Sequence, residues 1–238
     1  MNKIIIASEN LYPESLLYLK RMGYIVKTLK SQNGMEKAVS SHPDMYIAHL
    51  GDAIVVDCRV HDLLTSFDSK NDIKFGGREV HDASSMLKYP DNIGFNCVRV
   101  GKNIICNEKY TSPLIIEHAR KQGLNILNVR QGYAKSSTCV ITDNAIITED
   151  ESIYNCATDN GIDVLKIRKG HVELPGYDYG FIGGCSGLIE KKLVAFNGNV
   201  MLHPDAAEIF EFCYKHDVGI VSLCNKKLLD IGSIIRIC

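Results

Sequence analysis

The chain has 238 residues, 45% hydrophobic and 23% charged, with a formal net charge of −1. That is the composition of a globular protein able to bury a core, and it lacks the basic excess that nucleic acid or an anionic membrane surface would attract. No apolar run approaches the ~20 residues of a bilayer span, and the nine cysteines are scattered without a CxxC pair, so the chain reads as a reduced, cytoplasmic protein with no metal or cofactor.

In chain order, "NKIIIAS" reads as an apolar strand, "LYPESLLYLKRMG" as a helix closed by Gly23, and "YIVKTLK" as a second strand. A hairpin pattern then starts at Met45 with "MYIAHLGDAIVV", followed by a weak helix and short strand in "HDLLTSFDSKNDIKFGG". It recurs as "CVRVGKNIIC" from Cys97, "CVITDNAIIT" from Cys139 and "GLIEKKLVAF" from Gly187, with a half-copy, "SIIRIC", from Ser233. The spacings are 52, 42, 48 and 46 residues, which is the signature of a repeat architecture. Each full hairpin leads into a helix and a closing β-rich run: "LNILNVR", "IDVLKIR" and "IVSLC". Capping-type residues such as Thr111 and Asp205 stand near the helix starts, and Gly123, Gly161 and Gly219 suit the left-handed position after the helix ends.

Each unit is therefore strand, turn, strand, helix, strand. The N-terminal unit lacks its first strand, and the C-terminus is a first strand without a unit. Pairing the two ends makes five units and closes a ring, which removes exposed sheet edges. In such a ring the segments leading into the first strands converge at one end. Those segments are "SSHPDM" (40–45), "KYPDNIGFNC" (88–97), "QGYAKSSTC" (131–139), "GYDYGFIGGCSG" (176–187) and "LLDIGS" (228–233). Four carry an aspartate: Asp44, Asp91, Asp178 and Asp230. Turn chemistry explains any one of them. Together they make an acidic pocket suited to a cation, and a guanidinium matches carboxylates in a bidentate manner.

The repeat order resembles the pentein superfamily of five-bladed α/β propellers, which includes arginine deiminases, dimethylarginine dimethylaminohydrolases, amidinotransferases, agmatine deiminases and a non-enzymatic ribosome anti-association factor. The resemblance spans residues 1–238 as a single domain. "HPDMYIAHLGDAIVV" is similar to the deiminase-type stretch in which His-x-Asp leads into an apolar strand. It implies His42 as general acid/base and Asp44 as a substrate ligand. Counting two units on implies Cys139 as the nucleophile, with Asp178 binding substrate and Asp230 as the carboxylate partner, in a circularly permuted order. Aligning the hairpins pairs His42 with Ser136 and sets Cys139 inside a strand. Cys185, in the glycine-rich "IGGCSG", is the rival thiol, and Ser136 and Asp91 are candidate ligand contacts. The enzyme this implies attacks a guanidinium carbon through a cysteine thiolate, as a hydrolase or transferase. The other reading is a non-catalytic ring that binds a ligand, a protein or the ribosome.

Overall fold

The computed structural model describes residues 3–64, 72–75 and 87–237. Its first strand, β1 (Lys3–Ser8), carries three consecutive isoleucines, Ile4 to Ile6, all buried. Each such side chain contributes about 1.5–3 kcal/mol by leaving water. Helix α1 (Pro13–Arg21) starts on a proline, whose missing N–H costs nothing at a helix N-terminus. It leads into β2 (Tyr24–Leu29), which runs parallel to β1.

The same motif then recurs. Strands β3 (Ile47–His49), β4 (Ala53–Val56) and β5 (Asp72–Phe75) form one sheet. The next comprises β6 (Val98–Val100), β7 (Asn103–Cys106), helix α2 (Pro113–Lys121) and β8 (Asn125–Asn128). It is followed by β9 (Cys139–Thr142), β10 (Ala145–Thr148), helix α3 (Glu151–Asp159) and β11 (Asp163–Lys166). Then come β12 (Ser186–Glu190), β13 (Leu193–Phe196), helix α4 (Ala206–Lys215) and β14 (Gly219–Ser222). In each sheet the first strand is antiparallel to the second, and the second is parallel to the third. The last strand, β15 (Ile235–Arg236), pairs antiparallel with β1, with Ile6 opposite Ile235 and Ile5 opposite Arg236. Both chain ends thus share one sheet, as the half-units require.

The result is a mixed α/β fold with five small three-stranded sheets among the described residues. Strand β12 lies beside both β9 and β15, and β3 beside β6. The helices cover the outside through short apolar faces, such as Ile153 and Ala157 of α3 and Ile209, Phe212 and Cys213 of α4. No helix among the described residues is long and apolar enough to cross a membrane.

Local details depart from the sequence reading in four places. Thr111 does not cap α2: its hydroxyl donates to the Asn107 carbonyl, and Ser112 holds the cap position. Asp205 precedes α4, but its carboxylate accepts from the Arg168 backbone N–H and Nε, both at 2.6 Å. The left-handed residue after α4 is Asp217 (φ 55°), and Gly219 opens β14 instead. The weak helix read after Val56 is a 3-10 turn at Cys58–Leu63; residues 65–71 and 76–77 of that stretch lie outside the described residues, as does Cys238.

Candidate functional site

Three other lead-in segments, 131–139, 176–187 and 228–233, meet around His42. Pro43 restricts the chain after it, and the Asp44 N–H donates to the Gly232 carbonyl at 3.0 Å. Gly184 stitches the other two together: its N–H donates to the Ser136 carbonyl (2.8 Å), and its own carbonyl accepts from Ile231 (3.0 Å) and Ser233 (2.7 Å). Glycine is required here by space, because a Cβ on Gly184 would lie 2.0 Å from Asp230 Oδ1. Asp230 is buried and accepts from the backbone N–H groups of Phe181 and Gly232, each at 2.9 Å. Its Oδ1 stands 3.6 Å from Nδ1 of buried His42, within ion-pair range though long for a hydrogen bond.

These groups open onto a cavity of about 270 Å³. Its polar wall is His42, Ser136, Asp178 and Asp230, and its aromatic wall is Tyr133, Tyr177, Tyr179 and Phe181. The rings cluster around Phe181: Tyr133 lies 6.2 Å from it, tilted, and Tyr179 6.1 Å from it, edge to face. Two hydroxyls are anchored, Tyr133 accepting from Asn92 Nδ2 at 3.2 Å and Tyr177 donating to Glu36 Oε2. The Glu36 carboxylate and partial burial push the Tyr177 hydroxyl up to about 12, so it stays neutral at physiological pH. No lysine, arginine or cysteine lines this cavity among the described residues.

Behind Ser136 lies a second layer. The Ser136 hydroxyl donates to Asp44 Oδ2 (2.9 Å) and accepts from Asn96 Nδ2 (2.9 Å). Asn96 Oδ1 in turn receives the backbone N–H groups of Lys135 and Ser136. Ser233 Oγ lies 3.0 Å from Asp44 Oδ2 and accepts from Lys135 Nζ at 2.9 Å. Ser233 itself has φ 77°, a left-handed conformation that costs a non-glycine residue ~1–3 kcal/mol and is retained where surrounding contacts impose it. Asp44 is fully buried and is not on the cavity wall; its Oδ1 has no hydrogen-bond partner among the described residues.

The structure therefore gathers His42, Ser136, Asp178 and Asp230 around one cavity and keeps Asp44 directly behind it. It places the other candidates elsewhere. Asp91 is exposed and lines a separate groove with Asp57, Arg59 and Lys109. Cys139 and Cys185 are buried in one apolar cluster with Ile141, Ile147 and Phe196. Burial pushes the Cys139 thiol up to about 11 and that of Cys185 well above its ordinary value. Both thiols are held away from the nucleophilic thiolate form. The strand explains this: Cys139 opens β9 opposite Ile147, and its side chain enters the core, whereas Ser136, three residues earlier, reaches the cavity. Sequence reasoning did not single out Asn96, Lys135, Phe181 or Ser233. Each stands in a quoted lead-in segment, but polar residues in turns give no sign of which way they face.

Burial also raises the Asp230 carboxyl, with the charge of His42 opposing the shift. An acid whose folded-state pKa is raised favours the folded state below its unfolded value and loses that contribution as pH rises through the folded value. The stability of the wild type relative to Asp230→Asn is thus expected to fall as pH increases from about 4. Urea denaturation across pH 4–8 reads this as a slope, and a pH-independent difference would remove Asp230 as the titrating group.

A family model described as a family of unknown function, DUF6873, matches residues 6–235. The chain belongs to that family. No curated protein matches the DUF6873 chain. Among solved structures it is similar to DDAH from Pseudomonas aeruginosa, a cysteine-to-serine mutant complexed with citrulline, at 10% identity and TM-score 0.55, covering 93% of this chain and 92% of that one. It is similar to SxtG, an amidinotransferase from Microseira wollei in the saxitoxin biosynthetic pathway, at 12% identity and TM-score 0.57, covering 94% and 78%. It is also similar to C. jejuni agmatine deiminase, at 10% identity and TM-score 0.55, covering 99% and 93%. At such identities the likeness is one of fold, and the DUF6873 chain has the fold of the pentein superfamily.

Proposed function

We propose that residues 1–238 form a single five-bladed pentein ring whose cavity between Asp178 and Asp230 binds a small guanidino-type cation, and that it does so without cysteine chemistry. The observation that carries this reading is the cavity wall itself: two carboxylates and four aromatic rings, with no lysine or arginine among the described residues to compete. Carboxylates pair with guanidinium through parallel N–H···O bonds, and tyrosine faces attract its delocalised charge. The ring reading is supported by the shared sheet of the chain ends and by the adjacency of successive first strands. Guanidino chemistry is supported by the neighbours, which include an amidinotransferase and an agmatine deiminase. Two neighbours are described with serine replacing a cysteine and a ligand or substrate bound. A serine at the cavity, as Ser136 is here, is compatible with binding.

Reading the chain as a binder instead of a hydrolase follows from the thiols. A cysteine nucleophile must be reachable and ionisable. Cys139 is 1% exposed and Cys185 0%, and neither faces the cavity.

Calorimetric titration with methylguanidine and arginine, against their ureido counterparts methylurea and citrulline, tests the reading. The cations are expected to bind at least ~10-fold more tightly, about 1.4 kcal/mol, at neutral pH. Equal affinity for the charged and neutral members of each pair would overturn it.

A further inference from the structure

A second cavity, of about 390 Å³, is walled by residues of the first strand of every sheet: β3, β6, β9, β12 and β15. Its charge is opposite to that of the cavity described above. His49, Arg99, Lys135 and Arg236 line it, and no aspartate or glutamate does among the described residues. The two arginines are fixed at hairpin turns by neighbouring acids outside the wall. Arg99 Nη1 donates to Asp52 Oδ1 at 3.1 Å and its Nε to the Gly101 carbonyl at 3.0 Å. Arg236 Nη1 donates to Glu190 Oε2 at 2.8 Å and to the Ile189 carbonyl at 2.9 Å. These contacts hold both guanidiniums in place.

Lys135 differs. Its ammonium carries three donors, and the hydrogen bond it makes is to Ser233 Oγ. It has no ion pair within 4.0 Å among the described residues. Of the nearby carboxylates, Asp230 accepts from two backbone N–H groups and Asp44 Oδ2 from the Ser136 hydroxyl, and neither comes within ion-pair range of the ammonium. A half-buried ammonium facing an acid-free space wide enough for a small molecule is an anchor for negative charge. Surrounding protein also lowers the affinity of the Lys135 amine for its proton, a penalty that an anion beside it would relieve.

We propose that this inter-strand cavity is a second ligand site, for a small oxyanion bearing a phosphate or carboxylate group, with Lys135 as its inner anchor. The site stands independently of the cation reading, since no residue is common to the two cavity walls.

Calorimetric titration of the wild-type protein with inorganic phosphate and with succinate, at low ionic strength, is the test. Binding of either with a dissociation constant below about 10 mM is expected, and the tighter of the two names the class. Leu188→Glu places a carboxylate on the wall without removing a hydrogen bond of a cation, and is expected to weaken binding at least ~10-fold. Lys135→Met is expected to do the same. Tyr214→Ala, on an exposed helix position that belongs to neither wall, is the control and should leave binding within about twofold. Absence of binding by both probes, or undiminished binding in Leu188→Glu, overturns the proposal. Should Lys135→Met fail to fold, Leu188→Glu decides.

Discussion

Gly232→Ala is expected to destabilise the protein by roughly 3 kcal/mol or more, an unusually large effect for adding one methyl group. Gly232 has φ 69°, and a left-handed alanine costs ~1–2 kcal/mol on conformation alone. The new Cβ would lie 2.4 Å from His42 Cα and 2.2 Å from its Cβ, so backbone on one side or the other has to shift. That shift strains two hydrogen bonds at once: Gly232 N–H to Asp230 Oδ1, and Asp44 N–H to the Gly232 carbonyl. Urea denaturation gives the value, and a loss below ~1 kcal/mol would show that His42 is not packed against this turn.

Asp44→Ala is the second large effect. Removing the carboxylate leaves the Ser136 hydroxyl without its buried acceptor, while Ser233 keeps the Gly183 carbonyl at 2.9 Å, and it takes away the charge that most favours the Lys135 ammonium. An orphaned buried donor costs ~1–3 kcal/mol, and the lost attraction between Asp44 and the Lys135 ammonium adds to it, so a loss of about 3 kcal/mol is expected. Combining it with Lys135→Met separates the two contributions. The double variant should be less destabilised than the sum of the singles by ~1–3 kcal/mol. Strict additivity would mean that Lys135 and Asp44 act independently.

The repeat was legible because its signals are local. Alternating apolar runs broken by Gly–Lys–Asn or Asp–Asn turns mark hairpins wherever they occur, and Gly23, Gly123 and Gly161 end their helices with positive φ as expected. The pairing of the chain ends followed from counting strands. The site was only partly legible, for a reason of direction. Ser136 and Cys139 are three residues apart, and where β9 begins decides which of them faces the cavity and which the core. Asp44 and Asp230 were chosen from the same pattern, yet one stands behind the wall and the other on it. Lys135, Asn96 and Ser233 gain their significance only from one another, through hydrogen bonds that span up to 98 residues of chain. Gly219 shows the reverse case: a glycine at the right spacing, with Asp217 taking the left-handed position before it.

The claim that a cation is held here by acids and aromatic rings, with no thiol involved, is met most directly by titrating agmatine into the wild-type protein and into a Cys139→Ala/Cys185→Ala variant, with intact-mass analysis of both mixtures. The account predicts affinities within about twofold of each other and an unmodified mass in each. Loss of agmatine binding in the variant, or a covalent amidino adduct on a cysteine of the wild type, would contradict it.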